Sequence, residues 1–204
     1  MDRKTLLVGL AVFLLIGLTI VGVTVFGKPD LFRGTTYGEP YPVAPEFTLV
    51  QENGTSLQLS AMRGKIVILF FGYTSCPDVC PTTLAELNQA LGLLSKDDAE
   101  QVQVVFVTVD PQRDTPQRVQ EYVNHFNSSF IGLSGTEDEL SKTWKAYGVF
   151  REVVDSPSAA GYLVNHTART TTIDRDGHMR VSYIFGTPVD DIVHDLNLLL
   201  QEGK

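Results

Sequence analysis

The sequence predicts an α/β domain whose central sheet has two parallel strands at its heart. Three observations carry this. The runs Ile66-Val67-Ile68-Leu69-Phe70-Phe71 and Val102 to Val109 are short and rich in β-branched and aromatic residues, the composition of strands buried on both faces. Between them Leu84, Leu87, Leu91 and Leu94 recur at helical spacing. A strand–helix–strand unit makes its strands parallel neighbours with a right-handed crossover. Downstream, a hairpin pattern about Asp176-Gly177 and a closing helix add antiparallel strands, so the sheet is mixed.

Ahead of this domain, Thr5 to Phe26 is a stretch of 22 residues without a charge. At about 1.5 Å per residue a helix of that length spans a hydrocarbon core of roughly 30 Å. A cleaved signal peptide has a shorter apolar core and a small-residue cleavage site. Gly27-Lys28-Pro29-Asp30 offers no such site, so residues 5–26 are expected to remain as a transmembrane anchor. Arg3 and Lys4 favour residues 1–4 in the cytoplasm and the domain outside, although Lys28 and Arg33 follow the apolar stretch. The simplest setting is a bacterial cytoplasmic membrane, with the domain in the periplasm. Residues 27–44 carry Gly, Pro and Tyr without periodicity and read as a tether, leaving 45–204 as the domain. The formal net charge is −8, and no basic run is present, which argues against nucleic acid as a partner.

Within the domain, Phe47-Thr48-Leu49 and Ser56-Leu57-Gln58-Leu59 flank Asn53-Gly54 as a hairpin, and Ser60 to Gly64 turns into the first long strand. The helix after it is expected to start at Pro81, since proline suits a first helical position. After Asp110-Pro111, Asp114 or Thr115 can cap a helix with Pro116 just inside and Val119, Tyr122, Val123 and Phe126 inward. Phe130 to Leu133 is a short strand, and Thr136-Glu137-Asp138-Glu139 is a capping-box pattern before Leu140, Trp144 and Tyr147. Phe150 to Val154 and Tyr162 to Val164 read as strands around a Ser/Pro/Ala/Gly loop. Thr170 to Ile173 and Met179 to Phe185 form the hairpin, and Thr187-Pro188 opens the last helix. With ligand sites at the carboxyl ends of parallel strands, the whole is a thioredoxin-like architecture.

The only two cysteines, Cys76 and Cys80, lie where the first long strand gives way to a helix. Thiolates are favoured at a helix N-terminus. In an oxidising compartment the pair could be a structural disulfide, but so short a loop gains little from closure. Redox or metal chemistry fits better. The spacing has one residue more than the Cys-x-x-Cys of thioredoxin-type enzymes, which lets both sulfurs converge on one point. Two thiolates suit Cu(I), and a third ligand would also hold Cu(II). Of the four histidines, His125 and His194 fall within helices and His178 in a turn. His166 follows the run Tyr162-Leu163-Val164-Asn165 at a strand end, from where it can face the cysteines.

Gly72-Tyr73-Thr74-Ser75-Cys76-Pro77-Asp78-Val79-Cys80-Pro81-Thr82-Thr83-Leu84, with Val109-Asp110-Pro111-Gln112-Arg113-Asp114-Thr115-Pro116, resembles the Sco/SenC family of membrane-anchored copper proteins. The resemblance spans roughly residues 45–200. It implies a thioredoxin-like domain that holds one copper ion through Cys76, Cys80 and His166. It also implies a chaperone role in building the dinuclear copper (CuA) centre of cytochrome c oxidase. The acceptor would be oxidase subunit II, with other periplasmic copper chaperones and thioredoxin-like reductants as further partners. Two alternatives share these residues: a thiol–disulfide oxidoreductase with Cys76 and Cys80 as redox pair, and a copper or redox sensor. Where the family reads Asp-His-Ser around its histidine, this chain has Asn165-His166-Thr167, followed by the polar run Ala168-Arg169-Thr170-Thr171-Thr172. Asp78 and Asp110 are expected either to set local charge or contact a partner near the metal, or to serve in helix-terminal capping or as a solvated strand end. Tyr73 is a candidate either to close over the site or to pack as a core aromatic.

Overall fold

The computed structural model describes Asp2, Phe13, residues 31–156 and residues 161–202. It divides into two units, Met1–Leu31 and Phe32–Lys204. In the first, Phe13 is helical, and the rest of the anchor expected over 5–26 lies outside the described residues. Among those described, no helix is long and apolar enough to cross a membrane.

The second unit is organised on a six-stranded sheet. Strands β1 (Thr35–Thr36), β4 (Ile66–Gly72), β5 (Val102–Thr108), β6 (Ile131–Leu133), β9 (Arg169–Ile173) and β10 (Met179–Ile184) stand in the order β1-β10-β9-β4-β5-β6. As expected, β4 and β5 are parallel and fully in register, from Ile66 opposite Val102 to Gly72 opposite Thr108. Strand β6 continues the parallel half, and β9, β10 and β1 form the antiparallel half. All seven residues of β4 are buried, because helices cover both faces of the sheet centre. Phe70 and Phe106 meet edge to face across the two strands, 5.7 Å between ring centres.

Helices α1 (Val79–Gly92), α3 (Pro116–Asn124), α4 (Glu137–Ala146) and α5 (Val189–Gln201) follow; of the predicted stripes Leu84, Leu87, Leu91, Val119, Val123, Leu140 and Trp144 are buried, while Leu94, Tyr122 and Phe126 are partly buried against the core. A short helix α2 (Lys96–Ala99), capped by Ser95, went unforeseen because four residues carry no periodicity. Thr115, not Asp114, caps α3, and Thr136 and Glu139 form the reciprocal capping box of α4. Helix α1 begins at Val79, two residues earlier than expected. Pro81 is then its third residue, still among the first four N–H positions that have no intrahelical acceptor, so the missing donor costs nothing there. Two hairpins stand apart from the main sheet: β2 (Thr48–Val50) with β3 (Ser56–Gln58), and β7 (Arg151–Asp155) with β8 (Tyr162–His166).

The tether expected over 27–44 needs correction in its described part. Thr35 and Thr36 pair with Ser182 and Val181 of β10, and Val43 bridges to His178. The backbone N–H groups of Arg33 and Gly34 donate to the buried Asp195 carboxylate at 2.8 and 2.9 Å, and Ala44 is buried. Periodicity misses such a segment because an edge strand of two residues has no pattern. The domain begins near Phe32 rather than at residue 45.

Candidate metal centre

The site is assembled at the carboxyl end of β4. Tyr73 to Cys76 make a turn, with the Cys76 N–H donating to the Tyr73 carbonyl at 3.2 Å, and α1 then carries Cys80 as its second residue. The Cys80 backbone N–H, one of the unpartnered donors of the first helical turn, points at the Cys76 sulfur from 3.4 Å. Gly72 makes room for this: a Cβ there would stand 2.9 Å from Cys80 Sγ and 2.6 Å from the Phe106 ring.

Strand β8 delivers the third residue. His166 Nε2 lies 3.7 Å from Cys80 Sγ, and its Nδ1 is 3.1 Å from the Thr167 carbonyl. A carbonyl only accepts, so Nδ1 carries the proton and the Nε2 lone pair faces the sulfur. Tyr73 sets its ring edge-on to the imidazole, 5.9 Å between centres and 85° between planes, so its expected place over the site is the flank of His166. Among the described residues, no set of three or more His, Cys, Asp or Glu side chains already stands at metal-holding geometry. What the structure brings together is thiol–thiol and thiol–imidazole contact. His125, His178 and His194 are elsewhere: at the end of α3, beside Asp174, and beside Asp195.

The two thiols are unequal. Both are free, with Cys76 half-buried and Cys80 fully buried. Cys76 is drawn down to about 4, foremost by the hydrogen bond it accepts from the Cys80 thiol, and further by the backbone N–H groups of Asp78 and Cys80. Cys80 is pushed up because its thiol is that donor and because it is buried. One proton thus sits on Cys80 while Cys76 is a thiolate, as a helix N-terminus favours. In the reduced protein, alkylation of Cys76 is expected to run at a constant rate from about pH 5 to 8, whereas an ordinary thiol speeds up towards its pKa of about 8.5. Mass spectrometry of the modified peptide checks this; a rate that climbs across that range contradicts it.

Two buried carboxylates brace the site, and sequence reasoning missed both roles. Asp110 is neither a solvated strand end nor a partner contact: it is fully buried, paired with Arg113, and accepts from the Tyr162 hydroxyl at 2.8 Å. Asp114, also fully buried, accepts from the Thr74 N–H at 3.0 Å, the Thr74 hydroxyl at 2.6 Å and the Thr108 hydroxyl at 2.7 Å. The available signal was the four-residue spacing of two acids around an arginine beyond a buried strand. Asp78 is exposed and its side chain makes no capping bond.

The SCO1/SenC family profile matches residues 35–201. This chain belongs to the SCO1/SenC family. A SCO2-like protein of Rickettsia conorii is 32% identical over 166 residues, 79% of each chain. Among solved structures, apo Sco1 of Thermus thermophilus is 39% identical, with a TM-score of 0.75 over 85% of this chain and 99% of that one. ScoI of Bradyrhizobium japonicum, solved with copper bound, is 34% identical, with a TM-score of 0.69 over 77% of this chain and 99% of that one. The thioredoxin-like fold follows from these likenesses.

In this SCO1/SenC chain the unusual neighbours of His166 have plain structural places. Asn165 is exposed and pairs with Glu152. Side chains alternate along a strand, so Asn165 points to the face opposite His166, and a carboxylate there would not lie beside the imidazole. Thr167 closes the hairpin: its hydroxyl accepts from the Phe150 N–H at 3.0 Å and its carbonyl orients His166. The polar run Thr170 to Thr172 is buried in β9, between β4 and β10.

Proposed function

We propose that this protein is a copper chaperone that holds one copper ion through Cys76, Cys80 and His166 and helps to build the CuA centre of cytochrome c oxidase. The observation that carries the reading is the placement of the imidazole lone pair 3.7 Å from a cysteine sulfur, beside a second sulfur held as thiolate. Two ligands about 120° apart on one ion, with bonds of about 2.3 Å to sulfur and about 2.0 Å to nitrogen, are themselves about 3.7 Å apart. Two thiolates and one imidazole suit copper in either valence. Membership of a family whose Bradyrhizobium japonicum member is solved with copper bound supports the same assignment.

Loading requires both cysteines reduced and releases the Cys80 proton, since sulfur ligates as thiolate. The ion is cargo, passed by exchange of ligands to the sulfur and nitrogen donors of an acceptor, oxidase subunit II. Residues 5–26, read as a single span with residues 1–4 inside, would keep the domain at the outer face of a bacterial cytoplasmic membrane. Tethering there raises the effective concentration of the domain near a membrane-bound acceptor. The test is an anaerobic Cu(I) titration of the full chain in detergent. One equivalent should bind to the reduced protein and none to the Cys76–Cys80 disulfide; no binding by the reduced protein defeats the reading.

One observation favours a second reading, a thiol–disulfide oxidoreductase acting on the acceptor. The half-exposed Cys76 thiolate can attack a disulfide sulfur and expel one substrate thiolate, forming a mixed disulfide. Cys80 then loses its proton and attacks Cys76 Sγ, releasing the second substrate thiolate. The substrate is reduced and the Cys76–Cys80 pair oxidised. His166 is not required for that exchange.

A further inference from the structure

We propose that the carboxyl end of β5, with Arg113 and Arg151, is a clamp that positions His166 and thereby sets how long copper is retained. The inference deepens the copper reading, although its first readout needs no copper. His166 is borne by the β7–β8 hairpin, which pairs with no strand of the six-stranded sheet among the described residues. No ladder of backbone hydrogen bonds therefore holds the imidazole against the cysteines, and side chains must do so.

The Tyr73 hydroxyl makes one link, a hydrogen bond with the Val164 backbone of β8; the others converge on Val109 and Asp110. At the start of β8, the Tyr162 hydroxyl donates to the buried Asp110 carboxylate at 2.8 Å. Arg113, paired with that carboxylate, stacks its guanidinium 3.6 Å from the Tyr162 ring centre and donates to the Tyr162 carbonyl at 3.0 Å. On β7, Arg151 is the residue directly opposite His166. Its Nε donates to the Val109 carbonyl, and its guanidinium lies 4.9 Å from the Trp144 ring centre, with Glu137 beside it at 3.4 Å. Both strands are thus clipped to consecutive residues at the end of β5, which is itself locked in register to the strand that leads into the cysteines. Arg113 also reaches the cysteine loop, 5.7 Å from the centre of the Tyr73 ring that flanks His166.

A planar guanidinium that stacks and forks at once cannot be replaced by a lysine ammonium. Groups that orient a metal-binding histidine typically change metal affinity by about 10- to 100-fold when removed. These are positioning residues, since none of them touches the sulfurs in the contacts described.

The test uses the full chain in detergent with two variants. Tyr162→Phe removes one hydroxyl and keeps the stacked ring; Arg113→Gln removes the fork. In the reduced, copper-free protein, NMR should show a cross-peak between the Tyr73 and His166 rings that weakens in both variants. Release of Cu(I) to a chelator should be about tenfold faster in each, and the acceleration should vanish when His166→Ala is already present. Should Arg113→Gln fail to fold, the single-hydroxyl variant decides. A cross-peak that survives in Tyr162→Phe overturns the clamp, as does faster release that persists in the His166→Ala background. If the unaltered protein binds no copper, the copper reading fails while the cross-peak still decides the clamp.

Discussion

His166→Ala is expected to lower the Cu(I) affinity of the reduced protein by more than about 100-fold, the upper end of what loss of a merely supporting group costs. Among the described residues the imidazole is the one nitrogen ligand facing the sulfurs, with its Nδ1 proton held by the Thr167 carbonyl and its lone pair left free. A two-thiolate site would remain. Exchange with a small disulfide should continue in the same variant, because attack and resolution need only Cys76 and Cys80. Competition with a Cu(I) chelator measures the first property, and the rate of disulfide reduction the second. Unchanged affinity would remove His166 from the site. Lost disulfide exchange would show that the imidazole serves the thiols rather than the ion.

The second large effect is on stability. Asp114→Ala is expected to destabilise the fold by about 3 kcal/mol, because it removes the buried acceptor of one backbone N–H and two hydroxyls. For a domain of this size that is a fall of about 6–12 °C in Tm. The change also frees Thr74, two residues before Cys76, so the Cys76 thiolate should lose part of its stabilisation and alkylate more slowly at acid pH. Burial raises the Asp114 pKa, so the folded state keeps this proton at a pH where the unfolded chain has lost it. The contribution of this group therefore declines as pH rises through the unfolded value of about 3.9 and levels off once the folded carboxyl is ionised. Calorimetry of Asp114→Ala beside the unaltered protein checks the magnitude; an unchanged midpoint would mean that the three hydrogen bonds contribute nothing net.

How much of this was legible in the residues follows from how local each signal is. The β4–α1–β5 unit was readable because each element carries its own period, and the parallel pairing follows from the helix between the strands. The capping box at Thr136 and the hairpin at Asp176-Gly177 were legible for the same reason. Residues 32–44 were misread because their place against β10 and Asp195 is fixed by partners about 135–165 positions away, on the far side of the sequence. Asp110 was misread for a similar reason. An acid after a strand is ordinarily solvated, and only the arrival of Tyr162 and Arg113 makes burial affordable for it. Position after an apolar run singles out His166, but its pairing with the cysteines follows only from the family resemblance. Strand periodicity gives the alternation of Val164, Asn165 and His166, and that alternation, once β8 was placed, put Asn165 on the face away from the site.

One copper ion held by both cysteines and His166 has a distinct spectroscopic signature. The most direct test is the X-ray absorption spectrum of the reduced full chain loaded with one equivalent of Cu(I). Two sulfur scatterers at about 2.3 Å and one imidazole nitrogen at about 2.0 Å are expected, with the imidazole signal absent from His166→Ala. A copper shell of sulfur alone, or one that His166→Ala leaves unaltered, would contradict it.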